Sequence, residues 1–466
     1  MKKNILAFAG LVSVLCIPAM AQTSFDAARL YNTELTGTSR YVAMGGAMGA
    51  LGSDVSVISQ NPAGIGTYHQ NDANVSFSLN GAESFSRYSY GNRGVSNGYT
   101  YYSDNIKSDF NGRLIENMSF VFCSDEGEGS YANFGFAFRR LQDTDCDMNY
   151  SDSFTDADGY KVTREFRDHS RNLTNAFDFN ISWNLDDVMY LGANFEILST
   201  DMQSSGYFYD YYAAGAHPSY TDRHDYTSVD KSNSSIGSGF NASFGMIARP
   251  VPFVRLGMAF KTPTWFKQNM VYEDNLYALR GEEKDGDRFE TNEYYGFSSP
   301  WSFSLSAGLT AGKTAIGMEF ERHFTGRSFL SIEDTRIEAQ GAPQYRDFST
   351  LRIGMEQNID KLALRAGWCH NGSMFQKYAT PYLLDTDFNN SRMDFQSVRP
   401  GRSDYLSFGL GYCSAPSEFG TQFYADMAFV RGSQKYDVCM NEYYEDPSLR
   451  SRYISNKVQL TVGWCF

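Results

Sequence analysis

The chain is poor in the features that mark most protein classes. Beyond residue 21 no apolar run approaches the ~20 residues a membrane-spanning helix requires, which excludes a helical membrane protein. Proline is sparse, at 12 of 466 residues, and neither a Pro/Ser-rich linker nor a composition break divides the chain, so one large unit is expected. His69, His169, His217, His224, His323 and His370 are scattered, without H-E-x-x-H or similar zinc spacing. With no nucleophile elbow and no phosphate-cradling loop ahead of a helix, no enzyme, metal site or cofactor is expected. A haem ligand would have to come from these histidines, and nothing singles one out. Basic residues are also short. Without Lys2 and Lys3 the 40 fall to 38, against 54 acidic residues, a balance that argues against nucleic acid as a partner. Cys16 lies near the N-terminus, and Cys123, Cys146, Cys369, Cys413, Cys439 and Cys465 show neither a disulfide framework nor a zinc pattern. They read as small strand and loop residues, with one disulfide left open.

What is abundant points to a different class. Aromatics make up 16% of the chain, with 32 Tyr, 36 Phe and 41 Gly, while mean hydropathy is polar at −0.43. A β-barrel whose lipid-facing and lumen-facing residues alternate averages to this profile. Lys2 and Lys3 followed by the apolar run Ile5 to Ile17 and by Ala19-Met20-Ala21 predict a signal peptide over residues 1–21, cleaved before Gln22. Leu15 ahead of Cys16 is too large for a lipoprotein signal. The closing residues Lys457 to Phe466 place Val458, Leu460, Val462, Trp464 and Phe466 on one face and Gln459, Thr461, Gly463 and Cys465 on the other.

Fourteen segments carry this period of two: 72–85, 115–124, 131–142, 170–185, 188–203, 235–249, 252–262, 299–310, 313–325, 349–357, 361–370, 403–413, 419–431 and 452–466. Their connections alternate between short turns, such as Asp186-Asp187, Pro250-Val251 and Ala311-Gly312, and long polar, Tyr-rich loops, including 143–169, 204–234 and 263–298. That alternation predicts an all-β fold, a 14-stranded antiparallel transmembrane β-barrel in the cell outer membrane, with every long loop outside. Trp301 and Trp368 fall near the extracellular ends and Trp183 and Trp464 near the periplasmic ends, as interfacial anchors do, while Trp265 reads as a loop residue.

Residues 22–71 differ from the barrel, 72–466. They are small-residue helix and turn, and their Ala, Met, Val and Leu side chains would stay in water unless the segment folds inward as a plug. The run RYVAMGGAMGALGSDVSVISQNPAGIG within them, followed by fourteen strands and a terminal Phe, resembles the FadL/TodX family of outer-membrane transporters for hydrophobic compounds. Ala43, Met44, Gly45, Gly46, Ala47, Met48 and Leu51, with Asn61, Pro62, Ala63 and Gly64, match that family's hatch. VRLGMAFKTPTWF and SPWSFSLSAGLTAGKTAIGMEFERHF are similar to its mid-barrel strands. The resemblance implies an N-terminal hatch in the lumen and passive uptake of a hydrophobic ligand, a long-chain fatty acid or an aromatic compound. The long acidic loops leave the substrate open. The competing class is a barrel that scaffolds surface proteins or serves a secretion system, or one of the relatives labelled haemin receptors.

Candidate residues follow. Glycines at 45, 46 and 49 sit poorly in a helix and suit a hatch that remodels. Asn61-Pro62-Ala63-Gly64 is expected to form a fixed turn, with Asn61 capping nearby amides and Gly64 free to take positive φ. Glu196, Glu319, Glu321, Arg352, Glu356 and Arg365 occupy inward positions in their strands. They form either an ion-pair network across the wall or, at Arg352 or Arg365, a bidentate seat for a ligand carboxylate. Phe466 resembles the terminal signal read by the barrel assembly machinery, and outer-membrane lipid is the partner expected around the barrel.

Overall fold

The computed structural model describes residues 30–31, 34–88, 102–105, 115–125, 130–155, 161–212, 226–280, 283–326, 328–332, 335–337, 345–376, 397–439 and 449–466. Residues 1–21, where a signal peptide is expected, lie outside them, with Cys16. Among the described residues no helix is long and apolar enough to cross a membrane.

Fourteen strands close one antiparallel barrel. They are β1 Asp72–Tyr88, β2 Ile115–Asp125, β3 Tyr131–Thr155, β4 Lys161–Leu185, β5 Met189–Tyr212, β6 Tyr226–Val251, β7 Val254–Lys261, β8 Trp301–Ala311, β9 Thr314–Phe324, β10 Phe348–Ile359, β11 Leu362–Asn371, β12 Ser397–Cys413, β13 Gln422–Cys439 and β14 Leu449–Cys465. Each pairs with its neighbour in sequence, and β1 closes on β14 from Asp72↔Cys465 to Tyr88↔Leu449. Alternation sorts the side chains as the period-2 pattern predicts. Phe136, Phe179, Phe195, Phe240, Leu305, Phe408 and Leu460 are exposed on the outside, while Asn180, Ser182, Glu196, Asn241, Ser243 and Gln459 are buried on the inside. An exposed apolar belt over a polar interior is the lipid-facing arrangement.

Closure extends to the last residue. The Asn71 amide donates to the Phe466 carbonyl at 3.1 Å, the Phe466 amide donates to Asn71 at 3.0 Å, and the Phe466 ring lies 6.2 Å from Phe120. Deleting Phe466 removes both seam hydrogen bonds at a barrel edge. The expected result is a smaller amount of heat-modifiable barrel in outer-membrane fractions, and an unchanged amount would count against the role.

The long connections are built differently from the expectation. The 143–169, 204–234 and 263–298 stretches are largely strand: β3 and β4 each run 25 residues, where ~10 cross a membrane. At ~3.3 Å per residue they reach far beyond the belt as β-ribbon. Trp265 is a strand residue, not a loop residue. It opens the extension Trp265–Arg280, which pairs with the upper part of β6 and with Glu283–Ser298. Prolines explain why β7 and β8 look short in sequence. Pro263 and Pro300 cannot donate to a ladder and break both strands at the same height, where the Ser299 amide still bonds the Thr264 carbonyl at 3.0 Å.

Candidate functional site: a hatch between two lumen cavities

Local chemistry makes residues 34–71 a chain of short capped turns. Helix α1, Ser39–Ala43, starts at Thr38, whose hydroxyl accepts from the Tyr41 amide, and stops where Gly45 (φ 61°) and Gly46 (φ 73°) turn left-handed. Asp54 caps the 3-10 turn Val55–Ser59 by accepting from the Ser56 amide, and also accepts the Thr38 hydroxyl at 2.6 Å. Burial pushes the Asp54 carboxyl above its usual range, against the opposing pull of Arg40 and of these hydrogen bonds. Asn61 caps the 3-10 turn Pro62–Thr67, and Pro62 occupies its first turn. Gly64 departs from expectation here. It lies inside this 3-10 turn and is not among the left-handed residues; what it supplies is space, because an added Cβ would stand 2.5 Å from Val57.

Most of residues 35–67 are buried inside the barrel, while His69 and Gln70 are exposed. Ala43, Met44, Met48 and Leu51 pack with Val55, Ile58 and Ile65, and with Val121, Ala137, Cys369, Tyr405 and Val430 of the wall, and Ala47, which lies among them in sequence, is buried too. The wall meets it with glycine. From β5 to β12 every strand contributes one: Gly192, Gly245, Gly257, Gly308, Gly317, Gly354, Gly367 and Gly409. A Cβ at these positions would strike Pro62 and Ala63, Asn61, Gly49 and Asn61, Leu51, Ala47, Met44, Gly45 and Ala43 in turn. Four of them form one continuous register row, Gly308↔Gly317↔Gly354↔Gly367. At Gly192, Gly317, Gly354 and Gly367 backbone thus lies directly on backbone, and at Gly308 on the Leu51 side chain, an approach that glycine permits.

Polar contacts fix the segment in place. Asn61 donates to the Gly49 carbonyl at 2.8 Å and to the Met246 carbonyl at 3.3 Å, and the Pro62 carbonyl accepts from Ser182 at 2.6 Å and Asn180 at 3.3 Å. Arg40 grips Glu356 with two parallel bonds, Nε–Oε2 2.9 Å and Nη2–Oε1 3.0 Å, while Arg365 bridges Glu356 and Asp426 at 2.6 Å each. Gln60 and Arg352 both donate to Glu319, and Arg352 also reaches Glu321 at 2.9 Å. The Arg255 guanidinium donates to the Leu51 carbonyl.

The two arginines offered as carboxylate seats therefore lie on opposite sides of the hatch. Arg352 faces a cavity of about 170 Å³ on the ribbon side, lined also by Tyr31, Leu35, Tyr41, His323, Phe348 and Met374. Arg365 faces a cavity of about 580 Å³ on the short-turn side, beside Arg40, Asp54, Asp72 and Tyr424. Each arginine already holds two carboxylates, the arrangement an ion-pair network across the wall requires. His323 bonds the Tyr31 hydroxyl at 2.8 Å and stacks on Phe348 at 4.3 Å. Among the described residues no group of His, Cys, Asp and Glu could hold a metal. Cys123, Cys369, Cys413 and Cys465 are free, and the side chains of Cys146 and Cys439 lie outside the described residues.

The glycine row and Arg40 are the parts of this candidate site not singled out in the sequence. Glycines at inward parity in eight successive strands were the signal that would have found the first.

No model of a known family matches the sequence, and no curated protein does either. Solved structures do match in fold. A FadL homologue of Pseudomonas aeruginosa aligns with TM-score 0.57 over 93% of this chain and 99% of its own, at 15% identity. The toluene transporter TodX of Pseudomonas putida aligns with TM-score 0.56 over 93% and 99%, at 13% identity. The monoaromatic hydrocarbon channel CymD aligns with TM-score 0.51 over 92% and 98%, at 12% identity.

Proposed function

We propose that this chain, which has the FadL/TodX fold, is an outer-membrane channel for the passive entry of small hydrophobic compounds. The observation that carries the reading is a hatch that separates two cavities of one lumen. It is seated on wall glycines and held by side chains that a modest displacement would release. The ribbon-side cavity, at about 170 Å³, is comparable with an engineered cavity of ~150 Å³ that binds benzene. It is small against the ~300–1,000 Å³ of drug-sized sites. This supports a single-ring aromatic in the closed state, with Tyr31 and His323 as polar contacts at its edge; a long-chain fatty acid would need the hatch to move first. The fixed contacts of Arg40 favour one other reading, a permanently plugged barrel that scaffolds other surface proteins.

Uptake separates the two. Liposomes bearing the folded barrel should take up a labelled monoaromatic compound, and Asn61→Ala should reduce that rate several-fold. Asn61 caps the turn, worth about 1 kcal/mol, and ties Gly49 to Met246, so without it the Pro62–Thr67 turn is no longer held in the shape that guides the ligand past it. Pro62→Ala should act in the same direction with barrel abundance unchanged. No uptake of any aromatic or long-chain compound by a folded barrel would leave the scaffold reading.

A further inference from the structure

The outer wall of β12–β14 carries cations that transport leaves unused. Arg402, Arg431, Lys435 and Arg452 are exposed, and their strand neighbours Ser403, Val430 and Gln434 are buried in the lumen. Alternation therefore turns the four outward, onto the face shared by Leu406, Phe408, Phe429 and Val458. Lys435 is paired directly with Arg452. Arg402 joins them at the irregularity between Pro400 and Ser403, whose partners Tyr436 and Gln434 leave Gly401 and Arg402 opposite Lys435. Three cations thus form a row across three adjacent strands spaced ~4.8 Å apart.

Like charges directly opposite one another destabilise a sheet, so this row calls for a counter-charge. The described residues supply none: no carboxylate pairs with any of the four. Asp404, the acidic neighbour on β12, is held by His370 at 2.7 Å, and Arg452 donates only to the Ser433 hydroxyl, at 2.7 Å. Elsewhere on the outer rim Arg322 does have its acid, Asp347, at 3.7 Å. The absence is sharper in a chain of net charge −14.

Depth identifies the counter-charge. Arg431 pairs with Leu406 at the upper edge of the apolar belt. The row lies four residues further along β13, ~13 Å of strand, or about 10 Å along the membrane normal for a ~40° tilt. Long cationic side chains there reach the headgroups that cap a ~30 Å hydrocarbon core. We propose that Arg402, Lys435 and Arg452, with Arg431 beneath them, bind the headgroup of an outer-leaflet lipid that bears more than one phosphate. Its acyl chains lie against Leu406, Phe408, Phe429 and Val458. The inference rests on the barrel spanning a membrane and is independent of transport.

The test is lipid retention. The barrel is folded in mixed micelles containing a bis-phosphorylated glycolipid or its dephosphorylated form, exchanged into plain detergent, and the lipid retained per protein is counted by mass spectrometry. The natural protein should retain the phosphorylated lipid roughly fivefold or more above the R402Q/K435Q/R452Q variant, as charge-assisted phosphate contacts require. It should retain the dephosphorylated form no better than that variant does. K435R should keep full retention, and R452Q alone should lose part of it, so the result does not depend on the triple variant folding. Equal retention by the natural and triple-variant barrels, or equal retention of both lipids, would overturn the proposal. So would complete displacement by inorganic phosphate, which would mark a plain anion site. Loss of uptake with retention intact would touch only the transport reading.

Discussion

Gly317→Val is expected to lift the proposed hatch off the wall and open the lumen to ions while the barrel stays folded. Gly317 stands in the middle of the register row Gly308↔Gly317↔Gly354↔Gly367. A Cβ there overlaps the Ala47 carbonyl oxygen and comes within 3.0 Å of its carbon and 3.1 Å of Leu51. Both sides of that contact are backbone, so no side chain can rotate away, and overpacking of this kind costs about 1–3 kcal/mol. The barrel wall is locked by ladders to β8 and β10, whereas the hatch is a series of short turns, so the hatch is the part that yields. Bilayer conductance should rise well above that of the natural protein, and a cysteine placed at Ala47 should become accessible to a bulky water-soluble thiol reagent. Gly81→Ala is the control, since a Cβ at Gly81 meets nothing within 4 Å. Unchanged conductance and labelling in Gly317→Val would show that the glycine row does not position the hatch.

Glu356→Gln should have an effect of similar size through charge. Glu356 is the shared acceptor of Arg40 on the hatch and Arg365 on β11, and with Asp426 the group is two cations against two anions. Removing one anion leaves two guanidiniums facing each other with a single carboxylate, and breaking a buried pair from one side costs about 3–5 kcal/mol. Arg40 keeps 27% of its side-chain surface exposed, which places the penalty at the low end. Even so, ~3 kcal/mol corresponds to roughly a hundredfold shift between docked and released hatch. Arg40→Met should be milder, because Glu356 keeps Arg365. The double variant R40M/E356Q should be less leaky than E356Q alone, having removed the uncompensated cation with the anion. Conductance of the three variants checks the order. Equal, additive effects would mean that Arg40 and Glu356 do not act on each other.

The membrane-crossing part of the barrel was readable because lipid outside and polar lumen inside impose a strict period of two, as in Phe177, Phe179, Ile181 and Trp183 against Asn180 and Ser182. The ribbons were not. Beyond the belt the outer face meets water and not lipid, so β3 from Gln142 to Asp145 is polar on both faces and loses its hydrophobic alternation, while it keeps its ladder to β4 and still buries Gln142 and Thr144 on the inside. Pro263 and Pro300 hid two further extensions by breaking β7 and β8 where the pattern changes. The hatch was visible through its small residues and Asn61-Pro62-Ala63-Gly64, yet its seat was not. A glycine in a strand reads as a weakness one strand at a time, and becomes a surface only when Gly308, Gly317, Gly354 and Gly367 fall into register. The inward charges were legible by parity, but parity does not choose partners. That Arg365 joins Arg40 through Glu356 below the hatch, and Arg352 joins Glu319 and Glu321 above it, depends on the cross-strand register.

The seam that closes the wall is also where the N-terminal segment is stitched to the barrel. Thr461 of the last strand accepts the Ser39 amide at 2.7 Å and shares a 2.7 Å hydrogen bond with Ser76 of the first, while Gln459 donates to the Gly37 carbonyl. One stitch therefore joins three parts of the chain, two of them 422 residues apart. Ser39 and Gly37 are thus bonded to the strand that closes the barrel, so seating of this segment and pairing of β14 with β1 stabilise each other. Variants that loosen the segment will therefore show themselves as slow or misregistered assembly as well as leaks.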